Sequence, residues 1–195
     1  MILNGPPRSG KSSIASAIRG LGPRAWVCLG VDASMSQLPE ALRPGIGLRP
    51  GGGRPDLEEL VVAQYQGLWE SIAAHAQRGV DVVVDVGLHE SFSKPRAIRR
   101  DAARRLAGMA ILFVAVRCPL EVIWERRARS WGQSESEAAL REAVQRWQVE
   151  VHEGLVYDLE LDTSVLTPQE CADLVLKRIA SGPAGDAFAR LATDT

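Results

Sequence analysis

Short apolar runs alternate with stretches of helical periodicity along nearly the whole chain. The runs are near-continuous or rich in β-branched residues, which predicts five strands at 1–4, 26–31, 80–85, 109–116 and 157–162. Between the strands, apolar residues recur at helical spacing, which predicts helices over 11–20, from Pro55 or Asp56 to 77, and over 93–107, 135–151 and 167–179, and another from Leu120. This alternation predicts one α/β domain, in which a five-stranded parallel sheet carries helices on both faces. The most hydrophobic run, 109–116, is expected to be central.

The first strand leads directly into a phosphate-binding motif. Residues 5–12 read Gly-Pro-Pro-Arg-Ser-Gly-Lys-Ser and fit G-x-x-x-x-G-K-[ST] without a mismatch. The motif lies between a predicted strand and a predicted helix, as its chemistry requires. Backbone N–H groups and the positive end of the helix dipole can hold a phosphate there. The sequence therefore predicts a P-loop protein that binds ATP or GTP.

Each part of the motif has an expected role. Lys11 is expected to reach the β- and γ-phosphates, and the Ser12 hydroxyl to bind Mg²⁺ together with Asp85 at the end of the third strand. Alternatively, Asp85 is a structural cap. No N-K-x-D sequence marks the chain as a guanine-specific GTPase, which favours ATP. The expected phosphate-binding residues are Gly5, Arg8, Ser9, Gly10, Lys11, Ser12 and Ser13.

A carboxylate follows the second strand. Asp32 is expected at the sheet edge where open α/β sheets bind ligands, and there it can act as a base toward a substrate hydroxyl. Alternatively, it caps a turn. The segment 37–56 is rich in Pro and Gly, so we expect a long loop that forms part of an acceptor pocket, or else a surface insertion.

Arginines cluster between the helix from Leu120 and the next helix. Arg126, Arg127 and Arg129 are interpreted as a lid, at about 125–135, whose donors stabilise charge on a transferring phosphoryl group, with Arg126 and Arg129 as the catalytic candidates. Alternatively, they form a solvated face. Four arginines of the helix 93–107 are expected to be such a solvated face beside Asp101, and they are Arg99, Arg100, Arg104 and Arg105.

Composition limits the remaining choices. The chain has 195 residues, and we assign 1–181 to a single kinase-like domain and 182–195 to a tail with little to bury. A net charge of −1 gives no case for nucleic-acid or membrane binding.

Cys28, Cys118 and Cys171 lie in apolar stretches and lack the spacing of metal ligands, which favours buried thiols in the cytoplasm. His89 and His152 are expected to be structural, and Tyr65 and Trp69 are expected in the core, or alternatively beside the acceptor pocket.

Several of these stretches together resemble the chloramphenicol 3-O-phosphotransferases and their relatives. The resemblance extends to about residue 180 and rests on Ile2–Gly5 leading into Gly10–Ser12, on Gly30–Asp32, on Gly67–Trp69, on Val114–Cys118 and, most specifically, on Val151–Thr163. It implies a nucleoside-monophosphate-kinase-like fold and phosphorylation of an antibiotic hydroxyl by ATP. It also implies that Asp32 is the base and that Thr163 lies beside the adenine.

The chain departs from that family in two places. Family members typically carry two adjacent carboxylates where this chain has Asp85-Val86, and an R-E-x-x-x-R-G-D-R-like lid where this chain reads Arg-Arg-Ala-Arg-Ser-Trp-Gly-Gln over 126–133. The acceptor therefore stays open between chloramphenicol and another antibiotic, such as a nucleoside-like or sugar-bearing one. A metabolic kinase of the shikimate or gluconate type and a nucleotide-dependent binding module are the alternatives, and a homo-oligomer is left open.

Overall fold

The computed structural model describes residues 1–21, 25–43, 54–128, 137–183 and 185–193. Within these ranges the chain forms five strands, which are β1 (Ile2–Asn4), β2 (Trp26–Gly30), β3 (Asp81–Val86), β4 (Phe113–Arg117) and β5 (Leu159–Asp162). The helices are α1 (Lys11–Gly20), α2 (Val31–Ser36), α3 (Glu58–Ala76), α4 (Ile98–Arg105), α5 (Leu120–Ala128), α6 (Glu137–Glu150), α7 (Pro168–Ala180) and α8 (Ala187–Arg190). Short 3₁₀ turns occupy Glu40–Leu42 and Pro55–Leu57.

The strands form one parallel sheet in the order β2-β3-β1-β4-β5, which confirms the predicted architecture. The middle strand is β1, whose Ile2 lies opposite Val84 on one side and Phe113 on the other. The strand expected to be central, β4, is the inner neighbour of β1. The carboxyl ends of β1, β2 and β3 therefore meet at one edge, and the P-loop follows the middle one.

Helices cover both faces of the sheet, because alternate strand residues are apolar on both sides. Ile2, Val82 and Val84 face a core with α3 and α4, where Tyr65 and Trp69 are also buried. Leu3 and Val83, on the other face, pack with α1 and α7. Thr167 and Glu170 form a capping box at the start of α7, as a Thr-Pro-Gln-Glu sequence favours. No helix in the described ranges is long and apolar enough to cross a membrane.

The structure corrects two expectations about burial. The expectation that the tail has little to bury is wrong, because Ala187, Phe188 and Leu191 enter the core on the α3–α4 face. Phe188 is 2% exposed and contacts Phe113 edge to face. The expectation that Cys28 is buried is also wrong, because its strand, β2, lies at the edge of the sheet and leaves the thiol exposed. Cys118 and Cys171 are buried, as expected.

A third correction concerns Arg99, which does not belong to a solvated face. Its guanidinium donates to the carbonyl oxygens of Glu150 at 2.6 Å, Glu153 at 2.9 Å and Leu88 at 3.3 Å. It thereby ties α4 to the carbonyl end of α6, where a cation is favoured. Arg105, in contrast, pairs with Asp101 as expected.

Candidate active site

The loop between β1 and α1 has the backbone of a phosphate cradle. Gly10 has a φ of 100° and Arg8 a φ of 68°, so the chain turns sharply before α1 begins at Lys11. Gly5 lies so close to β4 that a Cβ atom there would be 2.3 Å from the Val116 carbonyl oxygen. Only glycine fits at this position, which explains the first glycine of the motif. Gly5 and Ser9 are buried and shape the loop, whereas Arg8, Gly10, Lys11, Ser12 and Ser13 line the cavity in front of it.

Lys11 crosses the cradle and connects it to β3. Its ammonium donates to the Pro6 carbonyl oxygen at 2.9 Å and lies 3.5 Å from Asp85 Oδ1. The side chain is largely buried, so its charge is held in place at the cavity wall. A fixed ammonium at this position can bind phosphoryl oxygens that enter the cradle.

Ser12 and Asp85 are brought together as the sequence predicts. The Ser12 hydroxyl donates to Asp85 Oδ2 across the cavity floor. A hydroxyl and a carboxylate are hard oxygen donors of the kind Mg²⁺ prefers, and Mg²⁺ usually completes its shell with substrate phosphates and water. The Ser12–Asp85 pair therefore fits a magnesium ion that phosphate oxygens also bind. The described residues contain no group of three or more His, Cys, Asp or Glu that could hold a metal ion by themselves.

Asp32 lies in the first turn of α2, not at the end of a strand as the spacing predicts. The helix is anchored by the buried side chains of Val31 and Met35. It is further tied to α3 because the Ser34 hydroxyl donates to Gln64 Oε1 at 2.6 Å. Parallel pairing sets Gly30 opposite Asp85, so both acids reach the same end of the sheet, as the sequence predicts.

The carboxylate of Asp32 faces the cavity and has no hydrogen bond or ion pair within the described chain. The surrounding protein raises the pKa of this carboxyl because it withdraws the charge from water, and the negative charge of Asp85 acts in the same direction. Lys11 and Arg8 oppose that increase. An unpartnered carboxylate of raised pKa is suited to accept a proton from a hydroxyl.

Arg126 lies at the opposite end of the cavity. Its guanidinium donates to the Thr163 hydroxyl at 3.1 Å, to the Thr163 carbonyl oxygen at 2.6 Å and to the Arg8 carbonyl oxygen at 3.3 Å. The Thr163 hydroxyl in turn donates to the Ser9 carbonyl oxygen at 2.6 Å. Arg126 therefore joins α5, the P-loop and the loop after β5. Arg129 and the rest of the expected lid, 129–135, lie outside the described residues.

These groups surround one cavity of about 760 Å³. All line the cavity, and the strand order sets their sequence along it. Asp32, Met35, Ser36 and Arg43 follow the edge strand β2, whereas Thr163, Leu166 and Pro168 follow the opposite edge strand, β5, with Arg126 bonded to Thr163. Lys11, Ser12 and Asp85 follow the strands β1 and β3 and lie between these two ends. No functional motif marks Met35, Leu166 or Pro168, and only their distance from Asp32 or Thr163 along the chain could have drawn attention to them. Arg43 lies within 37–56, the segment expected to form part of an acceptor pocket, but nothing in the sequence distinguishes it from the rest of that segment. Positions 44–53 of the expected acceptor loop lie outside the described residues.

A buried amide supports the cradle from below. Asn4 is fully buried, accepts from the Leu88 N–H at 2.7 Å, and donates to the Val151 carbonyl oxygen and to Tyr157 Oη, each at 2.8 Å. His152 Nδ1 also lies 2.8 Å from Tyr157 Oη. The segment 151–163 is the most specific part of the family resemblance. Its residues Val151 and Tyr157 accept hydrogen bonds from Asn4, the residue that precedes the P-loop, and so hold it in place.

Two histidines that the sequence predicts to be structural are packed inside the protein. His89 is buried, stacks on Phe92 at 4.6 Å between ring centroids, and meets Trp147 edge-on at 4.9 Å. Burial lowers the pKa of His152 to about 4, so its imidazole is neutral at physiological pH. Neither histidine lines the cavity.

A P-loop at the end of the middle strand, a cavity with a free carboxylate at one end and a five-stranded parallel sheet define a P-loop kinase fold. The sequence matches the family described as chloramphenicol phosphotransferase-like protein over residues 1–180. The chain belongs to this family. A comparison with curated proteins found no match.

Solved structures of several kinases and of a resistance protein share this fold. A sugar kinase from Janibacter sp. is 21% identical, with a TM-score of 0.62 and coverage of 99% of this chain and 97% of that one. The tunicamycin resistance protein of Deinococcus radiodurans is 18% identical, with a TM-score of 0.59 and coverage of 95% and 97%. A shikimate kinase from Acinetobacter baumannii, in complex with shikimate, is 14% identical, with a TM-score of 0.59 and coverage of 92% of each chain. At these identities the likeness shows the fold alone. Together with the family, the fold indicates a nucleotide-binding small-molecule kinase.

Proposed function

We propose that the protein is an ATP- and Mg²⁺-dependent O-phosphotransferase that phosphorylates a hydroxyl of a small molecule. The small molecule that we propose first is an antibiotic. The observation that carries this proposal is the cavity-facing carboxylate of Asp32, which lies near Lys11 and Asp85 and makes no hydrogen bond within the described chain. A nucleotide-dependent binding module would not need such a group. An acceptor that enters between Asp32 and the P-loop would place its hydroxyl against a ready base.

The proposed transfer is a displacement at the γ-phosphorus of ATP. The acceptor oxygen forms the new P–O bond, the bond from the γ-phosphorus to the β–γ bridging oxygen breaks, and ADP leaves. Asp32 accepts the proton of the acceptor hydroxyl. Lys11 and the N–H groups of the P-loop stabilise the charge on the phosphoryl oxygens. Ser12 and Asp85 would hold Mg²⁺, which neutralises part of the phosphate charge when it is bound.

The other end of the cavity is proposed to hold the adenine. Leu166 and Pro168 offer apolar surface there, and Arg126 offers a planar cation that can stack on an aromatic ring. The contacts of Arg126 with Thr163 favour this role over one at the transferring phosphoryl group. Of the two remaining lid arginines, Arg127 is buried in the cavity wall and Arg129 is proposed for that charge.

An antibiotic acceptor is supported by membership of the chloramphenicol phosphotransferase-like family and by the likeness to a tunicamycin resistance protein. Phosphorylation of such a compound would be a resistance or self-protection step in the cytoplasm, where ATP is available. A metabolic hydroxy compound is the second candidate, because sugar, shikimate and gluconate kinases share the fold.

The test is to incubate purified protein with Mg²⁺ and ATP against a panel of hydroxyl-bearing antibiotics and metabolites, and to analyse the products by mass spectrometry. We expect one compound class to gain the mass of one phosphate, with stoichiometric release of ADP. A gain on metabolites alone would favour the second candidate. Tight ATP binding without phosphorylation of any compound would contradict the proposed function.

A further inference from the structure

We infer that the acceptor carries a negatively charged group, a carboxylate or a phosphate, which Arg43 binds while Asp32 takes the proton of the hydroxyl. This inference rests on the proposed function and narrows its substrate class. It concerns the end of the cavity that lies away from Arg126 and Thr163, where Asp32, Met35, Ser36 and Arg43 line the wall.

The fold brings Arg43 to this wall. Helix α2 carries Asp32 in its first turn, and a 3₁₀ turn at Glu40–Leu42 then leads the chain to Arg43. The Arg43 Nε–H donates to the Leu38 carbonyl oxygen at 2.8 Å, which fixes one side of the guanidinium. The two residues thus line the same part of the cavity although eleven positions separate them.

The other side of the Arg43 guanidinium is available for a ligand. A guanidinium has five N–H donors, and four of them belong to its terminal nitrogens. Those nitrogens make no hydrogen bond or ion pair within the described chain. Several other exposed arginines of the molecule do pair with carboxylates, as Arg54 does with Asp56, Arg117 with Glu160 and Arg190 with Asp186. Such a fork matches the two oxygens of a carboxylate or phosphate.

ATP does not account for this cation. Lys11 already lies at the P-loop, and Arg126 lies at the end of the cavity assigned to the adenine. Arg43 is at the acceptor end, beside the apolar side chain of Met35 and the hydroxyl of Ser36. The Ser36 hydroxyl donates to the Ala33 carbonyl oxygen at 2.7 Å, so Arg43 is the group at this end best suited to bind an anion. The wall therefore fits a molecule with a hydroxyl, an apolar portion and an anionic group.

The test compares acids with their neutral counterparts. Gluconate and gluconamide, and shikimate and its amide, represent metabolic acceptors, while the hydroxyl-bearing acidic antibiotic mupirocin and its methyl ester represent the antibiotic source. Rates of phosphorylation are measured for the wild type and for Arg43→Gln, Arg43→Lys and Arg100→Ala. Arg100 is an exposed residue of α4 outside the cavity and serves as the control.

We expect kcat/KM for at least one acid to exceed that of its neutral counterpart by about 10- to 100-fold, which is the range of a charge-assisted hydrogen bond. Arg43→Gln should remove this preference, so that each acid and its neutral counterpart are phosphorylated with similar kcat/KM. Arg43→Lys should retain part of it, and Arg100→Ala all of it. A preference for gluconate or shikimate over its amide would identify a metabolic acceptor, and a preference for mupirocin over its methyl ester would identify an antibiotic.

Two results would overturn the inference. One is Asp32-dependent phosphorylation without any preference for an acid, which leaves the proposed function intact. The other concerns binding of the same compounds to the protein saturated with MgADP, measured by ligand-observed NMR. The anion site is excluded if no acid binds to the MgADP-saturated protein more tightly than its neutral counterpart. It is also excluded if Arg43→Gln still binds the acid more tightly. Both results count even if none of the compounds is phosphorylated. Absence of phosphorylation of every compound would instead count against the proposed function.

Discussion

The side-chain amide of Asn4 donates a 2.8 Å hydrogen bond to the hydroxyl of Tyr157, across 153 positions of sequence. Asn4 is the last residue of β1 and directly precedes the P-loop, and Tyr157 belongs to the segment that follows α6. Since Asn4 also accepts from the Leu88 N–H, one buried amide connects the cradle with the exits of β3 and α6. The position of the P-loop therefore depends on a polar contact in the interior.

Replacement of Asn4 by alanine should destabilise the protein strongly. It would leave the Leu88 N–H without its partner in the interior, which costs about 1–3 kcal/mol. It would also remove the hydrogen bonds that Asn4 donates to Val151 and Tyr157, worth about 1 kcal/mol each, although the Tyr157 hydroxyl keeps its contacts with His152 and the Val151 carbonyl oxygen. We expect a loss of about 3 kcal/mol in the free energy of unfolding, measured by urea denaturation. Gln37→Ala, at an exposed position with one long hydrogen bond of 3.4 Å, is the control and should change little. Equal midpoints for the two variants would contradict the role given to Asn4.

The stability of the protein should fall when the pH is lowered from about 6.5 towards 4. The folded pKa of His152 is lowered from 6.5 to about 4, chiefly by burial, so the unfolded chain binds the proton more readily in this window. Protonation then favours unfolding, and the contribution of the neutral imidazole is fully present only above pH 6.5. Urea denaturation at pH 7.5 and 5 measures the effect. The difference in unfolding free energy between the two pH values should be smaller in His152→Gln, and an unchanged difference would exclude this histidine as a source.

Substitution of Ser12 by alanine should raise the Mg²⁺ concentration that activity requires. The hydroxyl is half of the protein's donor pair, and Asp85 would remain as the other half. We expect an increase of about 10–100-fold in the half-saturating Mg²⁺ concentration, with a smaller effect on binding of metal-free ATP. Ser181→Ala, beyond the end of α7, is a control outside the cavity. A Mg²⁺ dependence in Ser12→Ala that matches the wild type would refute the assignment.

Replacement of Arg126 by alanine distinguishes two roles for this arginine. A residue that holds the adenine affects the KM for ATP, whereas one that stabilises the transition state affects kcat. Because Arg126 lies against Thr163, we expect KM for ATP to rise about tenfold with little change in kcat. Arg126→Lys should not restore binding, since an ammonium lacks the planar guanidinium. A fall in kcat at unchanged KM would instead place Arg126 at the phosphoryl group.

The sequence predicts the fold and the phosphate site well, because both depend on local patterns. The P-loop needs only eight adjacent residues, and the strands are recognisable as apolar runs bounded by polar or turn residues. Asp32 could also be found, since the end of a buried strand is a defined place in a parallel sheet. The short helix α2 could not be predicted from the sequence, because its six residues are too few to show a helical period.

Other features depend on contacts between distant parts of the chain. Phe188 is buried because α8 returns to the face covered by α3 and α4, and nothing in the local sequence of the tail indicates this. Cys28 is exposed because β2 is an edge strand, a property of strand order. Arg99 is one of several arginines in the same stretch of sequence. Only its contacts with the carbonyl end of α6, which the sequence does not reveal, distinguish it from the exposed ones. Arg43 lies in a segment whose composition indicates a loop but not the direction of any side chain.

The proposed base should be visible in the pH dependence of the reaction. Asp32 can accept a proton only when it is ionised, so kcat/KM should fall as the pH is lowered through its pKa. Asp32 is exposed to the cavity, but the partial withdrawal of its carboxylate from water and the charge of Asp85 raise that pKa against the opposing effect of Lys11, so the acid limb should lie above the ordinary value of 3.8.

The most direct test of the account is the rate of phosphoryl transfer by Asp32→Asn with an acceptor found in the panel. General-base catalysis contributes about 10²–10⁴-fold, so we predict a loss of that size in kcat, with ATP affinity retained and the acid limb removed. Retained ATP affinity would show that the cradle of Lys11 and Ser12 is intact. Turnover close to that of the wild type would contradict the account, because the free carboxylate in the cavity would then not be the base.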